Sequence, residues 1–169
     1  MYYEFHQDGS QRKCLVIPDG AFRNPMTVEQ IQNQIVRMPL TGVVMDGSTV
    51  FNFAQKEVPI LVDSLTKMAE TTKEDIDWFL FHQPNKFMLQ KLAERIGVPF
   101  EKMPMDIVEK FGNSNSATIP TAITADLKEE MLNKESLCCL AGFGAGVAWA
   151  GIIMKMGNMD FCDTIISDL

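Results

Sequence analysis

A layered α/β domain with a mixed sheet packed by helices is the fold class that this chain of 169 residues predicts. Two observations carry it. Stretches with apolar residues three and four apart alternate with short stretches that are apolar at nearly every position; the first is the pattern of a helix with one buried face, the second that of a strand covered on both sides. Each strand-like stretch also ends in a turn motif, namely Phe81-His82-Gln83-Pro84-Asn85, Gly112-Asn113-Ser114 and Gly142-Phe143-Gly144-Ala145-Gly146. Elements that alternate in this way stack as helical layers on a sheet.

Residues 14–17 form a short apolar strand, and the chain after them is broken by Pro18, Gly20, Pro25 and Pro39. Residues 1–45 are therefore expected to be loop-rich and to lie over a site. A helical pattern starts at Asp46, with Phe51, Ala54, Val58, Leu61, Leu65 and Met68 on one face, and Pro59 within it predicts a kink. Residues 76–81 read as a fully covered strand, and a helix from about Pro84 to Ile96 is closed by Gly97. Residues 105–110 are expected to form a weaker strand. Ile119, Ile123, Leu127 and Met131 then recur every fourth residue and predict a third helix whose far end carries Lys128, Glu129 and Glu130. Residues 137–141 and 147–154 are strands around the glycine-rich turn. The chain divides into a loop-rich segment 1–45, an α/β core 46–155 and a tail 156–169, all one domain.

With 46% hydrophobic and 22% charged residues, the chain can bury one core. A net charge of −7 argues against nucleic acid as the main partner, because neutralising phosphates needs clustered Lys and Arg. No run approaches the ~20 apolar residues of a membrane span, and a start that carries Glu4, His6 and Asp8 lacks the basic-then-apolar layout of a secretory leader. Cys138 and Cys139 are neighbours in an apolar strand and point to opposite faces, while Cys14 and Cys162 stand apart. Neither a metal clip nor a disulfide is expected, and reduced thiols suit a cytoplasmic setting. The twelve methionines read as adaptable core packing.

Ligands of such sheets bind beyond the carboxyl ends of the strands, where His82, Asn113 and Phe143-Gly144 all fall. An imidazole, a carboxamide and a glycine-rich turn are hydrogen-bond donors, which is what a reaction passing through an enolate or a tetrahedral oxyanion needs. No nucleophile accompanies them, since none of the four cysteines opens a helix after a strand, where the dipole would lower a thiol pKa. Each residue also has a plainer interpretation. A histidine can fill a buried strand-to-helix turn, an asparagine beside glycine can serve a left-handed turn, and the glycine-rich turn can simply join two strands. That turn is not a dinucleotide fingerprint, because its spacing fails and a strand follows it. Phe51 belongs to the apolar stripe of its helix. Lys86, Lys91 and Arg95 outnumber Glu94 on the helix after His82 and form either a solvated face or a docking surface for an acidic partner.

The motifs together resemble the C-terminal half of the β-ketoacyl-acyl-carrier-protein synthases III, thiolase-fold condensing enzymes that start fatty-acid synthesis. HQPN at 82–85 resembles the family's HQAN, GNSNSATIP at 112–120 its GNTSAASVP, GFGAGVAWAG at 142–151 its FGGG followed by Trp, and Met45-Asp46-Gly47 with Val50-Phe51 its MxGxxVF helix start. The likeness runs from about Gln7 to Lys155. It implies a thiolase-like half in which His82 and Asn113 are two members of a Cys-His-Asn triad, the cysteine lying in an N-terminal half that this chain does not contain. The Nε2–H of a neutral His82 and the amide of Asn113 would hold the thioester oxygen as malonyl loses carbon dioxide. Backbone amides at Gly144 and Ala145 would serve the second oxyanion. Phe51 and Phe143 would line the acyl or pantetheine channel, with Gly47 and Asn85 beside the pantetheine arm.

By the same resemblance the substrates are acyl-CoA and a malonyl group on acyl carrier protein, no metal or redox cofactor is needed, and the carrier would dock at Lys86, Lys91 and Arg95. The chain alone would be inactive, an exposed apolar face would favour a homo-oligomer or the Cys-bearing half, and neither nucleic acid nor membrane would be a partner. Pro84 in place of Ala, Ala145 in place of Gly and a longer stretch between Ser10 and Met45 leave the acyl primer open, in fatty-acid or polyketide pathways alike. The alternative is a non-catalytic module that binds an acyl thioester or a carrier protein.

Overall fold

Strand β5 (Glu135–Gly144) is paired along both edges: β4 (Trp78–Phe81) runs parallel to it on one side and β6 (Ala148–Gly157) antiparallel on the other. Strand β1 (Tyr2–Gln7) adds antiparallel to β6, so the sheet order is β1-β6-β5-β4, the mixed sheet expected. A separate antiparallel ribbon joins β2 (Leu15–Val16) to β3 (Val44–Met45). The computed structural model describes residues 1–18, 25–29, 31–32, 42–165 and 167. Gly20 and Pro39, two of the expected breakers, lie outside the described residues.

Helices cover the sheet on both faces. Leu61, Leu65 and Phe53 of α1 (Gly47–Met68) and Leu89 and Leu92 of α2 (Lys86–Ile96) bury against Cys139, Ala141, Phe143 and Ile153. On the other face Ile119 and Ile123 of α4 (Thr118–Asp126) and Met131 of α5 (Lys128–Asn133) pack with Leu80 and Cys138. Cys138 and Cys139 thus enter opposite cores, as strand alternation requires. Among the described residues no helix is long and apolar enough to cross a membrane.

The helix starts follow local chemistry. Asp46 caps α1, its Oδ1 accepting from the backbone N–H groups of Ser48 and Thr49 at 3.1 Å each. Hydroxyl donation from Thr49 and Ser48 leads the interactions that hold its carboxyl well down, at about 2. Asn85 caps α2 through Met88 N–H at 2.8 Å, and Gly97, at φ +81°, closes it.

Three expectations change. Residues 105–110 are not a strand: α3 (Ile107–Phe111) begins at the third of them. Met103, Met105 and Ile107 are indeed buried alternately, but no strand pairs with them, and the chain turns helical at Ile107. The single helix expected after Asn113 is two, because Leu127 leaves helical geometry at φ −119°, ψ 18°. Finally, the first segment contributes β1 to the main sheet. Its residues are largely exposed, so the strand rests on backbone pairing and leaves no hydrophobic pattern to read. Side-chain contacts add to it: Glu4 accepts from Ser64 of α1 and, within the strand, from His6 Nε2 at 2.8 Å, and His6 stacks on Trp149 of β6 with ring centroids 5.2 Å apart.

Gly151 lets α1 approach the sheet. A Cβ there would lie 2.7 Å from Leu65 Cδ1, 2.9 Å from Leu61 Cδ2 and 3.1 Å from the Leu140 carbonyl oxygen. Overpacking of this kind costs roughly 1–3 kcal/mol. Gly151→Ala is therefore expected to lower the unfolding free energy by an amount in that range, read as a lower urea midpoint with an unchanged m-value; an unaltered midpoint would mean that α1 yields freely.

Candidate active site

The parallel pairing of β4 and β5 fixes His82. Its N–H donates to Ala141 O at 2.8 Å, extending the ladder one residue past Phe81. Next to it Gln83 is fully buried, and its Nε2 donates to Phe81 O and Pro104 O, which holds the turn. The half-buried imidazole stands edge-on to Phe143, with centroids 5.5 Å apart at 77°. Its Nδ1 is 2.8 Å from Thr118 Oγ1. That hydroxyl also lies 2.8 Å from Asn115 O and accepts from Gln83 N–H at 3.2 Å. Burial lowers the pKa of His82 below its ordinary 6.5, opposed by the backbone hydrogen bond at Asn115, so the ring is neutral at pH 7.

Asn113 follows Gly112, whose φ of +72° suits a residue without Cβ. Its Oδ1 accepts from Asn115 N–H at 3.0 Å. The oxygen being used, the side-chain amide is left as a donor without a partner among the described residues. At the glycine-rich turn, Val147 exchanges both backbone hydrogen bonds with Asp8, at 2.8 and 3.2 Å. The unexpected strand β1 thereby anchors the turn. Gly146 sits at φ +140°, where a Cβ would meet Ala148 N at 2.8 Å. The Ala145 N–H has no backbone partner among the described residues.

These pieces meet in one cavity of about 750 Å³, lined by His82, Asn113, Phe143, Gly144 and Ala145. Leu15, Val16 and Ile17 with Val43 give it an apolar wall, so the first segment does lie over the site as expected. His82 is half-buried and Asn113 and Ala145 are exposed at the cavity, and donors oriented towards one apolar-walled space can stabilise developing negative charge.

Other residues implied by the resemblance are elsewhere. Phe51 is not in the cavity wall; it stacks on Phe87 at 5.8 Å, and Val50 takes the place beside the cavity. Gly47 opens α1, and Asn85 spends its oxygen on the cap of α2. Lys86 pairs with Asp106 at 2.6 Å and Lys91 with Glu94 at 2.6 Å, while Arg95 is exposed and without an ion-pair partner among the described residues. Thr118 and Met88 were not singled out from the sequence. The signal for Thr118 was present, a hydroxyl opening a helix five residues after Asn113.

No cysteine lines the cavity. The four described cysteines are free and buried. Burial pushes the thiols of Cys138 and Cys139 up to about 12, with Asp77 adding to the shift of Cys138, and such thiols are inert as nucleophiles. Among the described residues no group of three His, Cys, Asp or Glu side chains could hold a metal ion.

Comparison with known proteins gives the family of the chain. Residues 66–156 match the family described as 3-Oxoacyl-[acyl-carrier-protein (ACP)] synthase III C terminal. The chain is 33% identical over 153 residues to the beta-ketoacyl-[acyl-carrier-protein] synthase III of Synechocystis sp., covering 90% of this chain and 45% of that protein. It is 35% identical over 114 residues to the same-named protein of Porphyra umbilicalis, covering 68% of this chain and 35% of the relative. A crystal structure of 3-oxoacyl-(acyl-carrier protein) synthase from Burkholderia xenovorans LB400 superposes with a TM-score of 0.85 at 33% identity, over 96% of this chain and 46% of the other. The chain thus spans less than half the length of these relatives.

The lowered pKa of His82 has a consequence for stability. Because the unfolded state takes up the proton first, the His82 contribution to stability is fully present above about pH 6.5 and is lost as pH drops from there to the lower folded value. An NMR titration of the folded chain is expected to give a His82 midpoint below 6.5, and His82→Gln is expected to remove that part of the pH dependence; a midpoint above 6.5 would contradict the burial.

Proposed function

The chain belongs to the 3-oxoacyl-[acyl-carrier-protein] synthase III C-terminal family, and from that premise we propose that it supplies the donor half of a decarboxylative condensing site. The nucleophilic cysteine comes from an N-terminal half of the same kind of enzyme, and an acyl group sits on it as a thioester. A malonyl thioester enters beside it and loses carbon dioxide. The negative charge that develops on its thioester oxygen is held by the amide of Asn113 and by His82, each such donor contributing about 3–4 kcal/mol. The carbanion then attacks the acyl thioester, and the backbone amides at Gly144 and Ala145 take the second oxyanion. Hydrogen-bond donors serve both charges, so the reaction as written needs neither metal nor redox cofactor. The observation that carries this function is the convergence of His82, Asn113 and the Ala145 amide on one cavity that no cysteine lines.

The partners follow from the same chemistry. Tyr3 and Phe5 are exposed beside Leu140, Ala150 and Ile152, forming an apolar hollow of about 460 Å³ on the sheet. A surface of this kind favours association and supports packing by the Cys-bearing half or by a second copy of the chain. Acyl-CoA would load the cysteine, and malonyl would arrive on acyl carrier protein. An acidic carrier would meet α2 near Lys91 and Arg95, although the pairing of Lys86 and Lys91 weakens the positive field there. Four free thiols support a reducing, cytoplasmic setting.

The isolated chain is expected to show no condensation with acetyl and malonyl thioesters, whereas addition of a Cys-bearing half from a relative is expected to restore it. In the reunited enzyme, His82→Ala or Asn113→Ala should slow malonyl decarboxylation by about 10²–10³-fold and spare self-acylation of the cysteine by comparison. Equal loss of both partial reactions would make these residues structural, and thioester binding without turnover after reunion would favour a non-catalytic binding module.

A further inference from the structure

We propose that Asn115 is a further substrate-binding residue, whose carboxamide pairs with the first amide of the thiol arm that carries the thioester. Asn115 and Ser116 line the cavity with Asn113 and Thr118. Neither was expected there from the sequence, and at these two places the motif GNTSAASVP has Ser and Ala, so this chain adds a carboxamide and a hydroxyl. The backbone of Asn115 is fixed from three sides. Its N–H donates to Asn113 Oδ1 at 3.0 Å, its carbonyl accepts from the Thr118 hydroxyl at 2.8 Å, and the His82 ring hydrogen-bonds to the backbone there. It stands at φ +51°, in the left-handed region that asparagine tolerates better than most residues. The residue is exposed, and its carboxamide has no partner among the described residues. A fixed backbone thus holds a polar group that is free to bind, at little cost in ordering.

This inference deepens the condensing function proposed above and rests on it for the identity of the ligand. A malonyl thioester carries its polar groups in sequence: the carboxylate, the thioester oxygen and then, two methylene groups beyond the sulfur, the first amide of a pantetheine arm. The apolar wall at Leu15, Ile17 and Val43 offers that amide nothing, whereas a carboxamide both donates and accepts, as the amide itself does. Asn113 meets the thioester oxygen, and the next polar group along the arm falls to the residue that is hydrogen-bonded to Asn113. Gly47 and Asn85, which the resemblance places beside the arm, do not line the cavity, and Asn85 spends its oxygen on the cap of α2.

Calorimetric titration of the isolated chain with two non-hydrolysable malonyl analogues reads the contact. One carries an N-acetylaminoethyl arm, the other an acetoxyethyl arm of the same length in which oxygen replaces the amide N–H. The amide analogue is expected to bind roughly tenfold more tightly, as one or two hydrogen bonds allow. Asn115→Gly suits the positive φ and removes the carboxamide, and it is expected to abolish that preference. Asn115→Asp, whose carboxylate still accepts from an N–H, is expected to keep it. If the glycine variant does not fold, Asn115→Ala is read in its place. Absent or equal binding of the two analogues by the unmodified chain, a preference that survives removal of the carboxamide, or one that Asn115→Asp loses, overturns the assignment. The titration needs no Cys-bearing half. An amide preference in a reunited but inactive enzyme would therefore count against the condensing function alone, and an active reunited enzyme without that preference against this inference alone.

Discussion

The parallel, in-register pairing of β4 with β5 is the constraint on which the rest of the site depends. Phe81 lies opposite Ala141, and His82 N–H continues the ladder onto Ala141 O at 2.8 Å. Two carboxyl ends consequently leave the sheet side by side, one turning into α2 through His82 and the other reversing into β6 through Gly144 and Ala145. An antiparallel pair would have sent these two turns to opposite ends of the sheet. The third contributor, Asn113, reaches the same place because Thr118, at the head of α4, is tied to both His82 and Gln83.

Polar accounting then explains why the site is a set of donors. The Asn113 oxygen is consumed by Asn115 N–H, which leaves the amide facing outward. The Thr118 hydroxyl is fully engaged, and Val147 rather than Ala145 takes the exchange with Asp8. What remains of the donor set is the Asn113 amide and the Ala145 backbone N–H, neither with a partner among the described residues, beside the His82 ring, which the Thr118 hydroxyl and the backbone at Asn115 hold. Charge that appears on a substrate oxygen would meet groups already oriented and would require little reorganisation, and this is the physical source of such catalysis. The chain's own thiols, pushed up to about 12 in β5, are chemically silent by the same burial that makes them part of the core.

Much of this was legible in the sequence, and the exceptions have physical reasons. Apolarity at nearly every position of 76–81 and 137–141 marked covered strands, and the turn motifs after them fell at the cavity, because burial on both faces leaves a strong compositional trace. Strand β1 left none: as an exposed edge strand it is specified by backbone hydrogen bonds, which any residue but proline can make. The weaker strand expected at 105–110 failed in the opposite direction: Met103, Met105 and Ile107 are buried alternately, yet no strand among the described residues pairs with them. Thr118 was passed over although its hydroxyl opens a helix after Asn113, because its tie to His82 Nδ1 and Gln83 N–H is a geometry that spacing alone does not encode. Phe51 and Val50 are adjacent, and which of them meets the cavity depends on the rotation of α1, set by Gly151 and the leucines that pack over it.

The central claim is that this half carries an assembled thioester-binding donor set before any partner joins it. Backbone and side-chain NMR shift mapping of the isolated chain with a non-hydrolysable malonyl-pantetheine analogue tests that claim most directly. The account predicts saturable shifts that cluster at His82, the Asn113 amide, Gly144–Ala145 and the apolar wall at Leu15–Ile17. Shifts confined to the exposed sheet face at Tyr3 and Phe5, or none at the cavity at saturating analogue, would contradict it.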